Sequence, residues 1–136
     1  MASHSMIGLY YPSLHYSRRI MAGELTWMYR KTRPIDGIKK ILLCRTGEGG
    51  YKAGVLAELN VIGACFAPSW SMWKLTAETA SKKPERFRWD FRGVDDVYGV
   101  KFEISQKFRP AISLMHYGES CDFVLIEDEN KTKIRC

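Results

Sequence analysis

Short apolar runs, each ended by Gly, Pro or a polar cluster, fix what this chain is able to become. Runs of that length read as strands, and strands must pair to satisfy their backbone groups. The longest is 51-YKAGVLAELNVIG-63, with Val55, Ala57, Leu59 and Val61 expected on one face and Leu56, Glu58 and Asn60 on the other. Around it lie 6-MIGLYY-11, 25-LTWMYRK-31, 38-IKKILLCR-45, 97-VYGVKFEIS-105, 110-PAISLMHY-117 and 121-CDFVLIE-127. In 25–31, Thr26, Met28 and Arg30 are expected to point one way, and Leu25, Trp27, Tyr29 and Lys31 the other. Two segments keep helical spacing instead. Pro12 suits a first helical position and Gly23 a residue just past the end, which predicts a helix over 12–22. The stretch 69-SWSMWKLTAETASKK-83 has Ser69 or Ser71 as a cap, with Trp73, Ala77 and Ala80 at helical spacing. Residues 84–96 read as an irregular loop or single turn, and 128–136 as a frayed tail. The order is therefore β-α-β-β-β-α-β-β-β, mostly antiparallel. So short and strand-rich a chain is expected to curl into a small barrel, which removes exposed edges. The fold class is α+β, mainly β, with two flanking helices.

At 136 residues the chain is the size of one domain. Residues 1–5 precede a second methionine, Met6, and read as vector-derived; 6–118 form the domain, and 119–136 a C-terminal strand and tail. No run of eighteen apolar residues exists, and the N-terminus lacks the apolar core of a secretory signal. A cytoplasmic protein without a membrane span is expected. Cys44, Cys65, Cys121 and Cys136 form no CxxC pair and none lies near a His at zinc spacing, so reduced thiols and no metal are expected.

The charge is unevenly spread. Eight basic residues lie between Arg18 and Arg45 (Arg18, Arg19, Arg30, Lys31, Arg33, Lys39, Lys40, Arg45), against Glu24 and Asp36. That window carries the whole net +6, and the rest balances thirteen against thirteen. A basic excess confined to one segment reads as an anion-facing surface, with nucleic acid the commonest partner. A solvated basic face gives the same count. The run 46-TGEGG-50 lacks the G-K-[ST] ending of a phosphate loop and is assigned to a turn.

Larger patterns follow in order. Ile20-Met21-Ala22-Gly23-Glu24-Leu25-Thr26 leads into an aromatic strand ending Arg30-Lys31; then come 41-ILLCRTG-47, 54-GVLAELNVIG-63, a Trp-bearing helix, FRGVDD, 98-YGVKFEI-104 and 108-FRPAISL-114. This arrangement resembles the ASCH (activating-signal-cointegrator homology) family of the PUA-like superfamily, over about residues 7–115. The resemblance implies a small barrel with helices at its openings. It also implies a cleft made by the first helix, the strand after it and the Glu-bearing strand. Family members are associated with RNA, and some hydrolyse an acylated cytidine. The hydrolase pattern G-x-K-T-x-T-x-R is broken here: Leu25 stands at the lysine position and Met28 at the second threonine, while Thr26 and Arg30 match. Leucine cannot act as a base, nor a thioether as a hydroxyl nucleophile, so that hydrolysis is not expected.

The expected function is an RNA- or modified-nucleotide-binding module without catalysis or cofactor. Its candidate residues are Ser13, Arg18, Arg19, Thr26, Trp27, Tyr29, Arg30, Lys31, Arg33 and Glu58. Arg30 offers a planar fork to phosphate or a base edge; alternatively it pairs with Glu58 across the sheet. Trp27 or Tyr29 stacks a base, or fills core. Ser13 opens the first helix, where free N–H groups favour an anion. The alternatives are an ASCH-type amidohydrolase or ribonuclease using Thr26, Glu58 and His15, and a protein-interaction module whose basic face meets an acidic partner.

Overall fold

The computed structural model describes residues 5–31, 37–47, 53–76, 83–117 and 121–126. Six strands form one mixed sheet: β1 (Ser5–Tyr10), β2 (Trp27–Arg30), β3 (Lys40–Arg45), β4 (Gly54–Ala67), β5 (Val97–Ile112) and β6 (Cys121–Ile126). They are ordered β2-β5-β4-β3-β1-β6. β1 pairs parallel to both β3 and β6, and the remaining pairings are antiparallel. Helices α1 (Leu14–Met21), α2 (Ser69–Leu75) and α3 (Pro84–Asp90) complete the fold.

β4 and β5 are the long members, and their ladder is broken by bulges at Val55/Ala57, Glu58/Leu59 and Val61/Gly63. Each bulge bends and twists the pair, so the sheet curls round its own core instead of lying flat. The first bulge also resets the side-chain alternation. Leu56, Ala57 and Leu59 join the central cluster while Val55 faces away, a correction to the unbroken period-two pattern expected for 51–63. The curl also lets β5 continue through 105–110, where two strands were expected. It ends at Ser113, whose hydroxyl accepts from the Met115 N–H (3.1 Å) and starts a 3-10 turn, Leu114–Tyr117, in place of a strand.

The sheet stays open. Inside it, Tyr10, Leu25, Met28, Ile41, Leu43, Leu59, Val100, Phe102 and Ile126 form the central cluster, with Ile20 of α1 plugged against it. Burying each large aliphatic chain in such a cluster contributes about 1.5–3 kcal/mol. On the outer face, Ile7, Leu42, Cys44 and Val55 are covered by Leu114 and Tyr117 of the 3-10 turn. A third cluster joins α2 and α3 to the sheet through Met72, Phe87, Phe91 and Val97.

α1 begins two residues later than its proline suggested. The Ser13 hydroxyl accepts from the Tyr16 N–H (3.3 Å), and Gly23 takes the left-handed conformation (φ 78°) just past the end. α2 stops at Leu75, where Thr76 turns extended and donates its hydroxyl to the Met72 carbonyl; residues 77–82 of the expected longer helix lie outside the described ones. α3 replaces the irregular loop or single turn expected over 84–96, yet its signals are ordinary: Pro84 at the first turn, Glu85 beside it, and Phe87 and Phe91 one turn apart. Among the described residues no helix is long and apolar enough to cross a membrane.

Candidate functional site

The open seam is a cavity. The two edge strands, β2 and β6, do not hydrogen-bond to each other, and both line a hollow of about 490 Å³. Its floor is apolar: Met28, Ile41, Val61, Val100 and Ile126. Among the described residues lining it, Arg30 alone is charged. Strand alternation puts it there, since Met28 turns into the core and Arg30 follows two residues on. In register, Arg30 lies opposite Tyr98, and Tyr98 opposite Phe66. The Phe66 and Tyr98 rings sit 5.7 Å apart at 43°, and Phe66 is 65% exposed. One guanidinium and an accessible ring therefore share the mouth of an apolar hollow.

A second concavity, of about 390 Å³, lies beneath α1. Arg18 of α1, Arg45 at the end of β3 and Arg109 of β5 all line it, over a floor that includes Leu14, Leu56 and Phe108. Along β5 it is set apart from the seam by the span from 98–100 to 108–111, roughly 30 Å of strand contour. The single cleft implied by the family resemblance is thus resolved into two.

Glu58 belongs to neither. It pairs in register with Leu42, on the outer face. One carboxylate oxygen accepts from Tyr117 (3.1 Å) and meets Lys40 (3.3 Å); the other accepts from Ser105 (2.7 Å). Burial pushes its pKa up, but the Ser105 bond, the Lys40 charge and bond and the Tyr117 bond together bring it below the ordinary value. Burial, then the neighbouring Glu58 charge, raises the Tyr117 phenol. Nearby, burial takes the Cys44 thiol up to about 11 despite its bond to Tyr11, so it stays protonated and inert.

The Arg30–Glu58 pairing considered above is therefore corrected. Arg30 sits opposite Tyr98 and Glu58 opposite Gln106, about 26 Å of strand contour apart, and they face different sides of the sheet. Tyr29 is corrected as well: its ring packs edge-on against Phe87 (5.1 Å) and Phe91 (6.3 Å), beneath α3. Trp27 also points away from the seam, with Lys101 over its ring (5.8 Å) and its six-membered edge against Gly99. Ser13 uses its hydroxyl as the α1 cap. Arg19 pairs with Glu24 (3.6 Å), and the Thr26 carbonyl accepts from the Phe102 N–H (2.9 Å). Lys31 lies half-buried just past β2; Arg33 falls outside the described residues. His15 is exposed on α1 with its ring against Tyr16, while Glu58 is held by Lys40, Ser105 and Tyr117. Leu25 and Met28, at the hydrolase lysine and threonine positions, are packed into the core. Sequence reasoning missed Phe66, Tyr98 and Arg109, and placed Arg45 only in the basic window. Only the chain's long-range pairing brings them to their sites, although an apolar ring placed beside Pro68 at a strand's end was a visible anomaly.

The backbone settles the class: an α+β, mainly-β protein built on an open pseudo-barrel. Its fold is that of the ASCH proteins. A crystal structure of a serine-to-alanine variant of ZmASCH from Zymomonas mobilis superposes with a TM-score of 0.67 at 13% identity, covering 98% of this chain and 97% of that one. The unmodified ASCH protein from Zymomonas mobilis gives 0.64 at 14%, over 93% and 92%. A hypothetical protein, PH0355, gives 0.51 at 20%, over 73% and 99%. No protein-family model matches the chain, and no curated protein matches it.

Proposed function

We infer that this is an RNA- or nucleotide-binding module that takes a base at the open seam of its barrel, without turning it over. The observation that carries the reading is the 490 Å³ hollow with Arg30 on its wall and the Phe66–Tyr98 rings at its mouth. Its volume falls in the range of small-ligand sites. An exposed ring stacks any base, an apolar floor keeps water from competing, and the guanidinium presents in-plane donors to a base edge or a phosphate. The basic window of the sequence supports long-range attraction of a polyanion. The packing of apolar side chains at Leu25 and Met28 supports a binding role over hydrolysis of the family type.

Fluorescence anisotropy with a labelled single-stranded RNA tests this. Affinity is expected to fall steeply as salt rises, because phosphate contacts release counterions. Phe66→Ala and Arg30→Ala are each expected to weaken it. Absence of binding to RNA and to free nucleosides, at low salt, refutes the reading.

A further inference from the structure

We propose that the concavity beneath α1 is a separate phosphate site, in which Arg18, Arg45 and Arg109 converge on one anionic group. Those residues are 27 and 64 positions apart along the chain and come from three elements, yet they line a single hollow of about 390 Å³. No acidic residue stands among the described residues lining it. Its walls are apolar at Leu14, Leu56, Phe108 and Pro110; Arg18 and Arg45 each have another interaction, but the five donors of a guanidinium leave some to face an anion. The same apolar walls strengthen the attraction of all three groups for an anion bound between them. Guanidinium forks suit tetrahedral phosphate oxygens, two at a time, better than a lone carboxylate would use three of them. The volume exceeds that of one phosphate, so the apolar part of the floor accommodates the organic body of a phosphate ester. The ligand class is thus a phosphomonoester or phosphodiester, supplied by a mononucleotide or by an RNA backbone. This site does not depend on what the seam binds.

The experiment uses the whole chain, isotopically labelled, titrated with pyrophosphate and followed by amide NMR. Shifts are expected on α1 and on 108–111, leaving 64–66 and 98–100 unmoved. Arg109→Gln and Arg45→Gln are each expected to weaken binding about tenfold, the usual consequence of losing a charge-assisted contact. Arg109 is exposed, so its variant tests binding and not folding; an unchanged Tm checks this. Lys74→Gln removes an equal charge from exposed α2 and is expected to change nothing. Two short RNAs of one sequence, with and without a 5′ phosphate, then identify the source. A preference for the phosphorylated RNA that Arg109→Gln abolishes supports a terminal phosphate; equal affinities, both weakened by Arg109→Gln, support a backbone phosphate. Shifts scattered over the basic surface, equal weakening by Lys74→Gln, or no effect of Arg109→Gln on any ligand overturns the proposal. A nucleoside without phosphate reads the seam alone, so failure of one site is distinguishable from failure of the other.

Discussion

The seam and the hollow beneath α1 are both bounded by β4 and β5, yet they are chemically unlike. Among the described residues, the seam has one cation, two aromatic rings and an apolar floor, and the α1 hollow has three cations and a single aromatic ring, Phe108, in its wall. The difference follows from how each is made. The seam exists because two edge strands fail to meet, so it inherits the core's apolar side chains and gains a charge only where β2 ends. The α1 hollow lies where a helix crosses the rim of the sheet, and rim positions carry the solvent-facing residues of three elements. Base recognition favours the first kind of surface and phosphate recognition the second. A chain of this size can hold both because bulges in β4 and β5 separate them without a second domain.

The most damaging test removes what the two share. Phe102 is 1% exposed at the centre of the barrel. Phe102→Ala is expected to lower stability by about 3–5 kcal/mol, through lost burial and the cavity left behind. Urea unfolding would show it, and nucleoside and pyrophosphate binding should decline together. Retention of either alone would mean that the hollows do not rest on one core. A narrower break targets the seam. A Cβ at Gly8 would collide with Ile126 Cδ1 and crowd Ile41, on the inward face of β1. Gly8→Val is expected to cost about 1–3 kcal/mol by overpacking and to push β6 outward. Nucleoside binding should suffer more than pyrophosphate binding; equal losses would show that β6 does not shape the seam.

Phe66→Ala sharpens the comparison without disturbing the fold. The ring is largely exposed, so Tm should hardly move. If a base stacks there, RNA affinity falls by about 1–3 kcal/mol while pyrophosphate affinity is unchanged. An RNA affinity indifferent to Phe66 would return the seam to mere packing defect.

Much of this architecture was legible in advance, and the failures have a common cause. Strands, the first helix and the ASCH-like order depend on local alternation, caps and spacing, which a sequence displays directly. Val55 and Leu56 were assigned to the wrong faces because a bulge costs one residue of register and leaves no local mark. Arg30 was recognised, but its neighbours were not: Phe66 and Tyr98 reach it through two ladders, from 36 and 68 residues away. Glu58 was chosen correctly as a carboxylate needing partners. It keeps the face its alternation gave it, opposite Ala57 and Leu59, but its partners there are Lys40, Ser105 and Tyr117 and not Arg30. Pairing distance, not residue chemistry, was the missing information.

That polar group gives the smallest effect and the cleanest sign. Glu58 titrates below its ordinary value near 4.5, so in the acid range the unfolded chain binds more protons than the folded one. The stability contributed by its bonds is fully present above about pH 4.5 and is lost as pH falls through the lower, folded value. Lys40 is 40% exposed at its side chain, which limits the pair to less than about 1 kcal/mol. Glu58→Gln should therefore be less stable than the parent near neutrality, with the gap closing as the medium is acidified. It should leave both nucleoside and pyrophosphate binding intact, since Glu58 lines neither hollow. A gap that persists unchanged well below that range would assign Glu58 a packing role in place of an ionic one. A loss of ligand binding with stability preserved would be the more consequential surprise, because it would move the functional surface to the outer face.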